Sequence, residues 1–555
     1  MTKRIILVLL LVSAAVARLN SGRPQSNDAA RLPAVAAPET SYVGNDACAG
    51  CHEAISESYS HTSMAHASGL ATDEPRTVDF VDPGSRVHYR IFSDAGQLWL
   101  SFERPGDNFV NGKRKLLYFV GSGRRGLTYL FAVDGFLFES PINWYGDKKL
   151  WDMAPAYQGT REIPLNLPAF TSCLYCHVGD LQPPLPGTEN RYAMPFQGHG
   201  GVTCERCHGP GASHVKGGPI VNPAHLPADR RDAICMQCHL EGKIAVERPG
   251  VHLSNYKPGD DLSTYVRYFV LSDLATRDLG AVSQVEALAQ STCKQKSGDS
   301  MSCTSCHDPH SEPSPENKVA YYRKKCLSCH GASFAEKHHP NQADCAGCHM
   351  PASRSTDVAH TQVTDHRILR RHLGVDGVLQ SAGDPELVPF PRSEQVDLRD
   401  RALAWQMLAQ KGDAEARGKA ERLLRQAIMN NPDDPAVLAE LGYVEQQHGR
   451  IDSARALYQR AITRDPDTLD VAIDLAVLEA SSGHLGAAVK LWQSVFARAP
   501  YRSNVGLNLA EAFCKSGQYD SARSYLLRVL EFDPDSAHAK LSLQRLNQVP
   551  PACGP

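Results

Sequence analysis

One short motif recurs along the chain and strongly constrains its fold. Two cysteines three residues apart are followed directly by a histidine in seven places: Cys48-Cys51-His52, Cys173-Cys176-His177, Cys204-Cys207-His208, Cys235-Cys238-His239, Cys303-Cys306-His307, Cys326-Cys329-His330 and Cys345-Cys348-His349. Chance at this composition would give about 0.02 matches. Cysteines at positions i and i+3 lie on one side of a helical turn, where they can form thioethers to a haem while the adjacent histidine binds the iron. The pattern predicts seven covalently bound haem c groups.

Two other uses of paired cysteines fit less well. Zinc ribbons need no histidine after the second cysteine, and a secreted disulfide framework would not place one there seven times. Three cysteines stand outside the motifs, namely Cys293, Cys514 and Cys553. In an exported protein they suggest one disulfide and one free thiol, but the sequence leaves their pairing open.

The number of further histidines determines whether each iron can have a second histidine ligand. The chain has 23 histidines, of which 20 precede residue 373. Every haem could therefore have two histidine ligands, a coordination that leaves no open position and suits electron transfer. The candidate distal ligands lie near a motif or cluster together: His66, His214, His310, His338, His339, His360 and His366.

The N-terminus has the features of an export signal. Lys3 and Arg4 precede a short apolar run, and Ala15-Val16-Ala17 provides an A-x-A cleavage site. We expect a signal peptide at 1–17, a flexible leader at 18–42, and a periplasmic or extracellular protein. No later run is long and apolar enough to span a membrane in the mature chain. The formal charge of −3 gives no reason to expect a nucleic-acid partner.

The sequence pattern changes between the first and second motifs. Residues 76–160 alternate short β-branched and aromatic runs with Gly, Asp and Pro turns, which predicts an inserted antiparallel β-meander. The turn "GSGRRG" lacks the ending of a phosphate-binding loop and is interpreted as a hairpin turn, with Arg124 and Arg125 either solvated or near haem propionates. The rest of 43–375 predicts loops and short helices around the haems, which would replace a side-chain core.

After a linker at 376–400, the spacing changes to a 34-residue period. Pro, Gly and Ala recur at this interval: Pro432, Pro466, Pro500, Pro534, Gly449, Gly483, Gly517, Ala420, Ala454, Ala488 and Ala522. This is the spacing of tetratricopeptide (TPR) repeats, and it predicts an all-α solenoid at 401–549 with a tail at 550–555. The groove of such a solenoid either docks a partner or is only part of a structural cap. By the register of the TPR family, which this region resembles, the residues implied to face the groove are Tyr443, Gln446, Gln447, Asp470, Ser481, Asn504, Glu511, Cys514 and Lys515.

The stretches "CERCHGPGASHV", "CMQCHLEG", "CTSCHDPH", "CAGCHMP" and "HTQVTDHRI" resemble multihaem c-type cytochromes of the class that includes the tetrahaem cytochrome of nitrifiers. The resemblance covers roughly 43–375 and implies an exported electron carrier with closely packed haems. Relatives often carry a histidine in a segment similar to "GAVSQVEALAQSTC", where this chain has Gln284. One iron could then be open.

Three functions follow for the whole chain. The first is electron transfer along mostly bis-histidine haems, with redox partner proteins docked through the TPR module. The second is a multihaem reductase or oxidase that acts on a small nitrogen or sulfur oxyanion at one open haem. The third is a conducting subunit of a larger assembly or filament. No catalytic constellation of protein side chains stands out, which favours electron transfer.

Overall fold

The computed structural model describes residues 41–196, 200–272, 279–338, 342–370, 386–391 and 396–554. The predicted signal peptide, nearly all of the leader and much of the 376–400 linker lie outside these residues, as does the candidate ligand His339. No helix among the described residues is both long and apolar enough to cross a membrane.

An antiparallel sheet forms the first large element, and its strands are β1 (Ser68–Leu70), β2 (Val78–Val81), β3 (His88–Asp94), β4 (Gln97–Arg104), β5 (Asp107–Val120), β6 (Gly126–Val133), β7 (Phe136–Tyr145) and β8 (Leu150–Met153). Strands β2 to β8 follow one another across the sheet, and β1 pairs with the end of β5. The predicted β-rich region is therefore confirmed, although β1 begins before residue 76.

Alternation of side chains gives this sheet its buried face. In β4, Leu98, Leu100 and Phe102 are buried while their neighbours are less so. Asp134 and Gly135 join β6 to β7 with φ angles of 51° and 82°. Two left-handed residues in a two-residue loop match the right-handed twist of the strands, which makes this a favoured hairpin turn.

The motif-bearing region consists of short helices and loops. Its helices are α1 (Asn45–Ala49), α2 (Glu53–Ser60), α3 (Thr171–Tyr175), α4 (Glu205–His208), α5 (Ala228–His239), α6 (Gln284–Gln290), α7 (Thr292–Ser297), α8 (Lys318–His330), α9 (Ala332–His338) and α10 (Cys345–His349). Two small antiparallel sheets accompany them, formed by β9 (Ile244–Glu247), β10 (Val266–Leu271) and β13 (Leu387–Phe390), and by β11 (Ala352–Arg354) and β12 (Gln362–Thr364).

The C-terminal region is an all-helical solenoid, as its 34-residue period predicts. Its helices are α11 (Leu398–Gln410), α12 (Ala414–Asn430), α13 (Pro435–Gln447), α14 (Ile451–Arg464), α15 (Leu469–Ser481), α16 (Leu485–Arg498), α17 (Ser503–Lys515), α18 (Tyr519–Phe532) and α19 (Ala537–Leu546). The repeated alanines are fully buried where paired helices cross. The repeated glycines Gly449, Gly483 and Gly517 follow the first helix of each pair with positive φ, a conformation that glycine adopts without strain.

A disulfide joins Cys514 to Cys553 and leaves Cys293 as a free thiol. This resolves the pairing that the sequence left open. It also corrects the expectation that Cys514 faces the groove, because its side chain is buried and holds the C-terminal tail against α17.

The large sheet packs against the second half of the solenoid. Phe136 and Phe138 of β7 meet Tyr501 and Phe532 edge-on, with ring centroids 5.6 to 6.2 Å apart. Beside this aromatic cluster, Asp535 accepts two hydrogen bonds of 2.6 Å from the Arg104 guanidinium. Apolar burial and a bidentate ion pair thus join the two regions.

The first helix of the solenoid has a separate contact with the motif-bearing region. Ile244, Val246 and Phe269 share a hydrophobic cluster with residues of α11 and its neighbours. Arg248 forms an ion pair with the buried Asp400 of α11. The solenoid is therefore held to the motif-bearing region near both of its ends.

Candidate haem sites

The motifs form the helical turn that covalent attachment requires. The backbone N–H of His52 donates to the carbonyl of Cys48 at 2.9 Å, and the same bond joins His208 to Cys204 and His307 to Cys303. This i to i+4 bond closes one helical turn, so that the two cysteines of a motif share a side and the histidine lies next to them.

Several imidazoles are oriented by a hydrogen bond at Nδ1. The Nδ1 atom of His208 lies 2.9 Å from the carbonyl oxygen of Val221, and that of His349 lies 2.6 Å from the carbonyl oxygen of Leu369. The candidate distal ligand His214 has the same contact with Gly218 at 3.0 Å. A carbonyl at Nδ1 fixes the tautomer with the proton there, which leaves Nε2 free to bind a metal.

Three attachment histidines face a second histidine from another segment. The pairs and their ring-centroid separations are His52 with His214 at 6.4 Å, His208 with His310 at 6.0 Å, and His307 with His366 at 6.3 Å. Their ring planes are 9° to 29° apart. Two imidazoles on opposite sides of one metal have centroids roughly 6 Å apart, because each nitrogen lies about 2 Å from the metal. These pairs match the spacing of two axial ligands.

The other candidate ligands have different surroundings. His66 is exposed. The ring of His338 stacks on Phe334, which in turn packs against His330. The Nε2 atom of His360 lies 2.6 Å from a carboxylate oxygen of Asp152, so in this conformation it is engaged in a hydrogen bond and is not available to a metal.

Attachment thiols from different motifs lie next to one another. The thiols close enough to influence one another's pKa are Cys48 with Cys204, Cys176 with Cys238, Cys235 with Cys303, and Cys326 with Cys345. The fifth and sixth motifs are also neighbours, since the Tyr322 hydroxyl of α8 lies 3.4 Å from Nδ1 of His307. Because each motif would hold one haem through its thiols, this proximity would place haems of different motifs close together.

Residues between the two cysteines connect the motifs to each other, and sequence reasoning did not identify them. Glu205 is buried, and its carboxylate accepts hydrogen bonds of 2.7 to 3.1 Å from the backbone N–H groups of Val43, Gly44 and Gly211. This ties the third motif to the segment that enters the first. No simple spacing signal marks Glu205, since its partners lie both near and far along the chain.

The second, third and fourth motifs meet through similar residues. The Tyr175 hydroxyl donates to the side-chain oxygen of Gln237 at 2.6 Å. The amide nitrogen of Gln237 donates to the carbonyl oxygen of Arg206 at 3.3 Å, and the Arg206 guanidinium lies 4.2 Å above the Tyr175 ring. These three residues make one rigid joint between three attachment sites.

Arginines of the "GSGRRG" turn reach the motif region. Arg124 donates to Glu312 at 2.6 Å and is thus paired with a carboxylate. Arg125 lies close enough to His239 and His366 to lower the pKa of both imidazoles, although burial is the larger cause of each shift. Gln284 has its side-chain oxygen 3.4 Å from Nδ1 of His239.

The polypeptide leaves its own core incomplete around the motifs. Among the described residues from 288 to 362, none is a buried hydrophobic side chain. Helix α8 has 13 residues and no buried side chain. His239 and His307 keep exposed surface at the edge of the protein. The protein atoms around them still displace part of their hydration, and this desolvation lowers the pKa of both imidazoles. A chain segment of this length needs apolar material to pack against, and large flat groups held by the cysteines would supply it. The residues present therefore fit haem.

Comparisons with known proteins match two regions of the chain. A tetratricopeptide repeat family matches residues 413–476 and 479–546, and a doubled CXXCH motif family matches residues 296–334. The multiheme cytochrome MtrA of Shewanella baltica (strain OS185) is 27% identical over 203 residues, which cover 34% of this chain and 47% of MtrA. The chain thus spans about half the length of this curated relative.

Solved structures align with about a quarter of the chain. A crystal structure of MamA is 17% identical and covers 25% of this chain and 81% of its own, with a TM-score of 0.23. A tetratricopeptide repeat protein from Parabacteroides merdae ATCC 43184 is 20% identical and covers 26% of this chain and 57% of its own, with a TM-score of 0.24. The two family matches and the similarity to MtrA support a multihaem c-type cytochrome region fused to a C-terminal TPR region.

Proposed function

We propose that this protein is an exported heptahaem cytochrome that transfers electrons along closely spaced haems, most of them with two histidine ligands. The observation that carries the proposal is the set of three histidine pairs, and the proximity of attachment thiols from different motifs supports it. Bound to the fourteen motif cysteines, the haems supply the redox chemistry. The protein would hold neighbouring haems close together and provide two histidine ligands to most of the irons.

The seven motif histidines are proposed as proximal ligands. His214, His310 and His366 are proposed as the distal ligands opposite His52, His208 and His307, because the ring separations suit one iron between each pair. His66, His338, His339 and His360 stay candidates for the remaining irons, and for His360 a rotation away from Asp152 is required.

The TPR region is proposed to dock redox partner proteins. Groups on the first helices of the repeats would form the docking surface, and among them Tyr443 and Asn504 are exposed. Burial and the nearby carboxylate of Asp470 raise the pKa of Asp474 to about 6, which marks a partly desolvated acidic position on α15. A basic side chain of a partner would favour its ionised form.

A reductase or oxidase with one open iron is the second candidate. The observation that favours it is the position of Gln284 beside His239, with Arg125 nearby to attract an anion. Against it, Gln284 contacts Nδ1, the nitrogen away from the one that usually binds iron. This geometry suits a residue that orients His239 more than one that occupies its opposite side.

The experiment that tests the proposal combines mass spectrometry with electron paramagnetic resonance of the purified, oxidised protein. Seven attached haems with only low-spin ferric signals would support electron transfer through closed irons. A high-spin signal from about one haem would favour the open-iron alternative. Fewer than seven attached haems would contradict the count, and finding the protein retained in the cytoplasm would contradict export.

A further inference from the structure

The polar contacts between the solenoid and the rest of the chain lie in only a few places. Among the described residues they involve the large sheet, residues 162–189 and residues 243–248. The second motif lies inside the first of these two segments, and the fourth motif ends four residues before the other. The described segments that carry the other five motifs contribute none of the contacts named above.

Both flanks of the second motif are fastened to the start of α17. Before the motif, the Asn166 side-chain amide donates to the carbonyl of Tyr501 at 2.9 Å and to the Ser503 hydroxyl at 3.1 Å. After the motif, Glu189 accepts from the Tyr501 hydroxyl at 2.9 Å and from the Arg502 guanidinium at 3.0 Å. One turn of the solenoid thus holds the chain on each side of this attachment site.

Strand β7 connects the same site to the solenoid through the sheet. Its Phe138 packs on Tyr501 and Phe532, while the neighbouring residue Leu137 accepts a backbone hydrogen bond of 3.0 Å from Ala169. Ala169 lies two residues before α3, the helix that carries the second motif. The helix is therefore separated from the solenoid by a single strand.

From the second motif a path leads into the rest of the array. The Tyr175 hydroxyl of the second motif donates to the Gln237 side-chain oxygen of the fourth at 2.6 Å, and Cys176 lies near Cys238. Cys235 of the fourth motif lies near Cys303 of the fifth. An electron entering at the second site would reach the centre of the array through its nearest neighbour. The first motif instead has the third as its neighbour, and the seventh has the sixth.

We propose that the second attachment site, Cys173-Cys176-His177, is the port at which a redox protein docked on the TPR region exchanges electrons with the haem array. This inference rests on the proposed electron-transfer function. It gives the solenoid a role beyond docking, because the residues that hold it to the cytochrome region also fix its distance from one particular haem. Tyr501 and Glu189 are positioning residues of this port.

The test attaches the full-length, haem-loaded protein to a gold electrode in two orientations. A Cys293→Ser background carries either Asn504→Cys, an exposed position on α17, or Lys318→Cys, an exposed position at the start of α8. Voltammetry over a range of scan rates then gives the rate of electron exchange. Removing the second haem with Cys173→Ala and Cys176→Ala should slow exchange at least tenfold through the Asn504→Cys anchor and change it less than twofold through the Lys318→Cys anchor.

Two further variants complete the test. Removing the seventh haem with Cys345→Ala and Cys348→Ala is the matched control, and it should leave the Asn504→Cys rate unchanged. If the second-site double variant does not accumulate, His177→Met keeps both thioethers and raises the potential of that haem, so it should also slow exchange through the Asn504→Cys anchor alone.

The possible results distinguish a failure of the port proposal from a failure of the proposed electron-transfer function. An unchanged rate through Asn504→Cys, or equal slowing through both anchors, would overturn the port. Absence of reversible electron exchange through either anchor in the protein with all haems would instead overturn the electron-transfer function itself.

Discussion

The imidazole rings of His208 and His310 lie nearly parallel, 9° apart, with their centroids separated by 6.0 Å. His208 belongs to the third motif, and His310 follows the fifth, about a hundred residues later in sequence. His310 follows His307 by three residues, so one short loop carries the attachment histidine of one haem and a partner for the histidine of another. This arrangement couples two haem sites through a single turn of chain.

The first prediction concerns this pair. His310→Ala should leave the number of attached haems unchanged and convert about one haem from low-spin to high-spin, because His208 would lose the ligand opposite it. Electron paramagnetic resonance of the oxidised protein measures the change. His88→Ala is the matched control, since His88 lies on β3 between the carboxylates of Asp79 and Glu103 and should give the unaltered spectrum. A low-spin spectrum in His310→Ala would remove the assignment.

Much of this arrangement could be read from sequence because its signals are local. The motif spacing marks each attachment turn, and the short intervals in "CHDPH" and "CHGPGASH" pointed to His310 and His214 as ligand candidates. The solenoid could be predicted in the same way, because small residues recur at a fixed period. Ala454 and Ala488 lie where paired helices cross, and Gly483 follows a helix with positive φ.

The polar contacts between distant segments could not be predicted from the sequence in this way. Glu205 has no periodic neighbour, and its partners at Val43 and Gly44 are more than 160 residues away. His360 shows the opposite case, because its place in a histidine-rich segment suggested a ligand while folding brings Asp152 to its Nε2. Long-range polar pairing depends on the completed fold and leaves little trace in local composition.

The second prediction follows from the buried carboxylate of Glu205. Glu205→Ala should lower the free energy of unfolding by about 3 kcal/mol, because three backbone N–H groups lose a charged acceptor. Chemical denaturation followed by tryptophan fluorescence and haem absorbance measures this loss. Glu53→Ala, at an exposed position on α2, should change stability by less than about 0.5 kcal/mol. Equal stability of the two variants would show that the Glu205 contacts contribute little.

The third prediction concerns the orientation of His239. The side-chain oxygen of Gln284 can accept a hydrogen bond from the Nδ1–H group of this imidazole, which makes the ring a stronger electron donor to a bound metal. Gln284→Leu should therefore raise the midpoint potential of one haem by roughly 40 mV, equivalent to about 1 kcal/mol for one electron.

A redox titration followed by absorbance would detect this shift as one component moving among seven. Gln290→Leu on the same helix is the control, because the Gln290 amide donates to the backbone of Glu286. A new high-spin signal in Gln284→Leu would instead show that Gln284 binds the iron.

The fourth prediction concerns the joint between sheet and solenoid. Asp535 is buried and receives hydrogen bonds from Arg104 and from the backbone N–H of Ile163. Asp535→Ala should weaken this joint by about 3 to 5 kcal/mol, since it leaves the Arg104 charge without its main partner. Hydrogen exchange of the Ile163 amide should become faster. In the control Asp520→Ala, an exposed carboxylate beside Arg523 is lost, and exchange at Ile163 should stay the same.

The fifth prediction concerns Glu139 of β7, which lies near Cys173 and Tyr157. Burial raises the pKa of its carboxyl to about 7, so it gains a negative charge as the pH rises from 6 to 8. A negative charge near the second attachment site favours the ferric over the ferrous state of a haem held there. The potential of one haem should therefore fall by tens of millivolts over this range, and most of the fall should disappear in Glu139→Gln.

Redox titrations at several pH values measure this slope. Glu57→Gln, on the surface of α2, is the control and should keep the slope of the parent protein. The sign is fixed by the direction of the shift: the carboxyl is protonated and neutral below its raised pKa, and ionised above it. A potential that rises with pH, or a slope that persists in Glu139→Gln, would show that another group near this haem carries the proton.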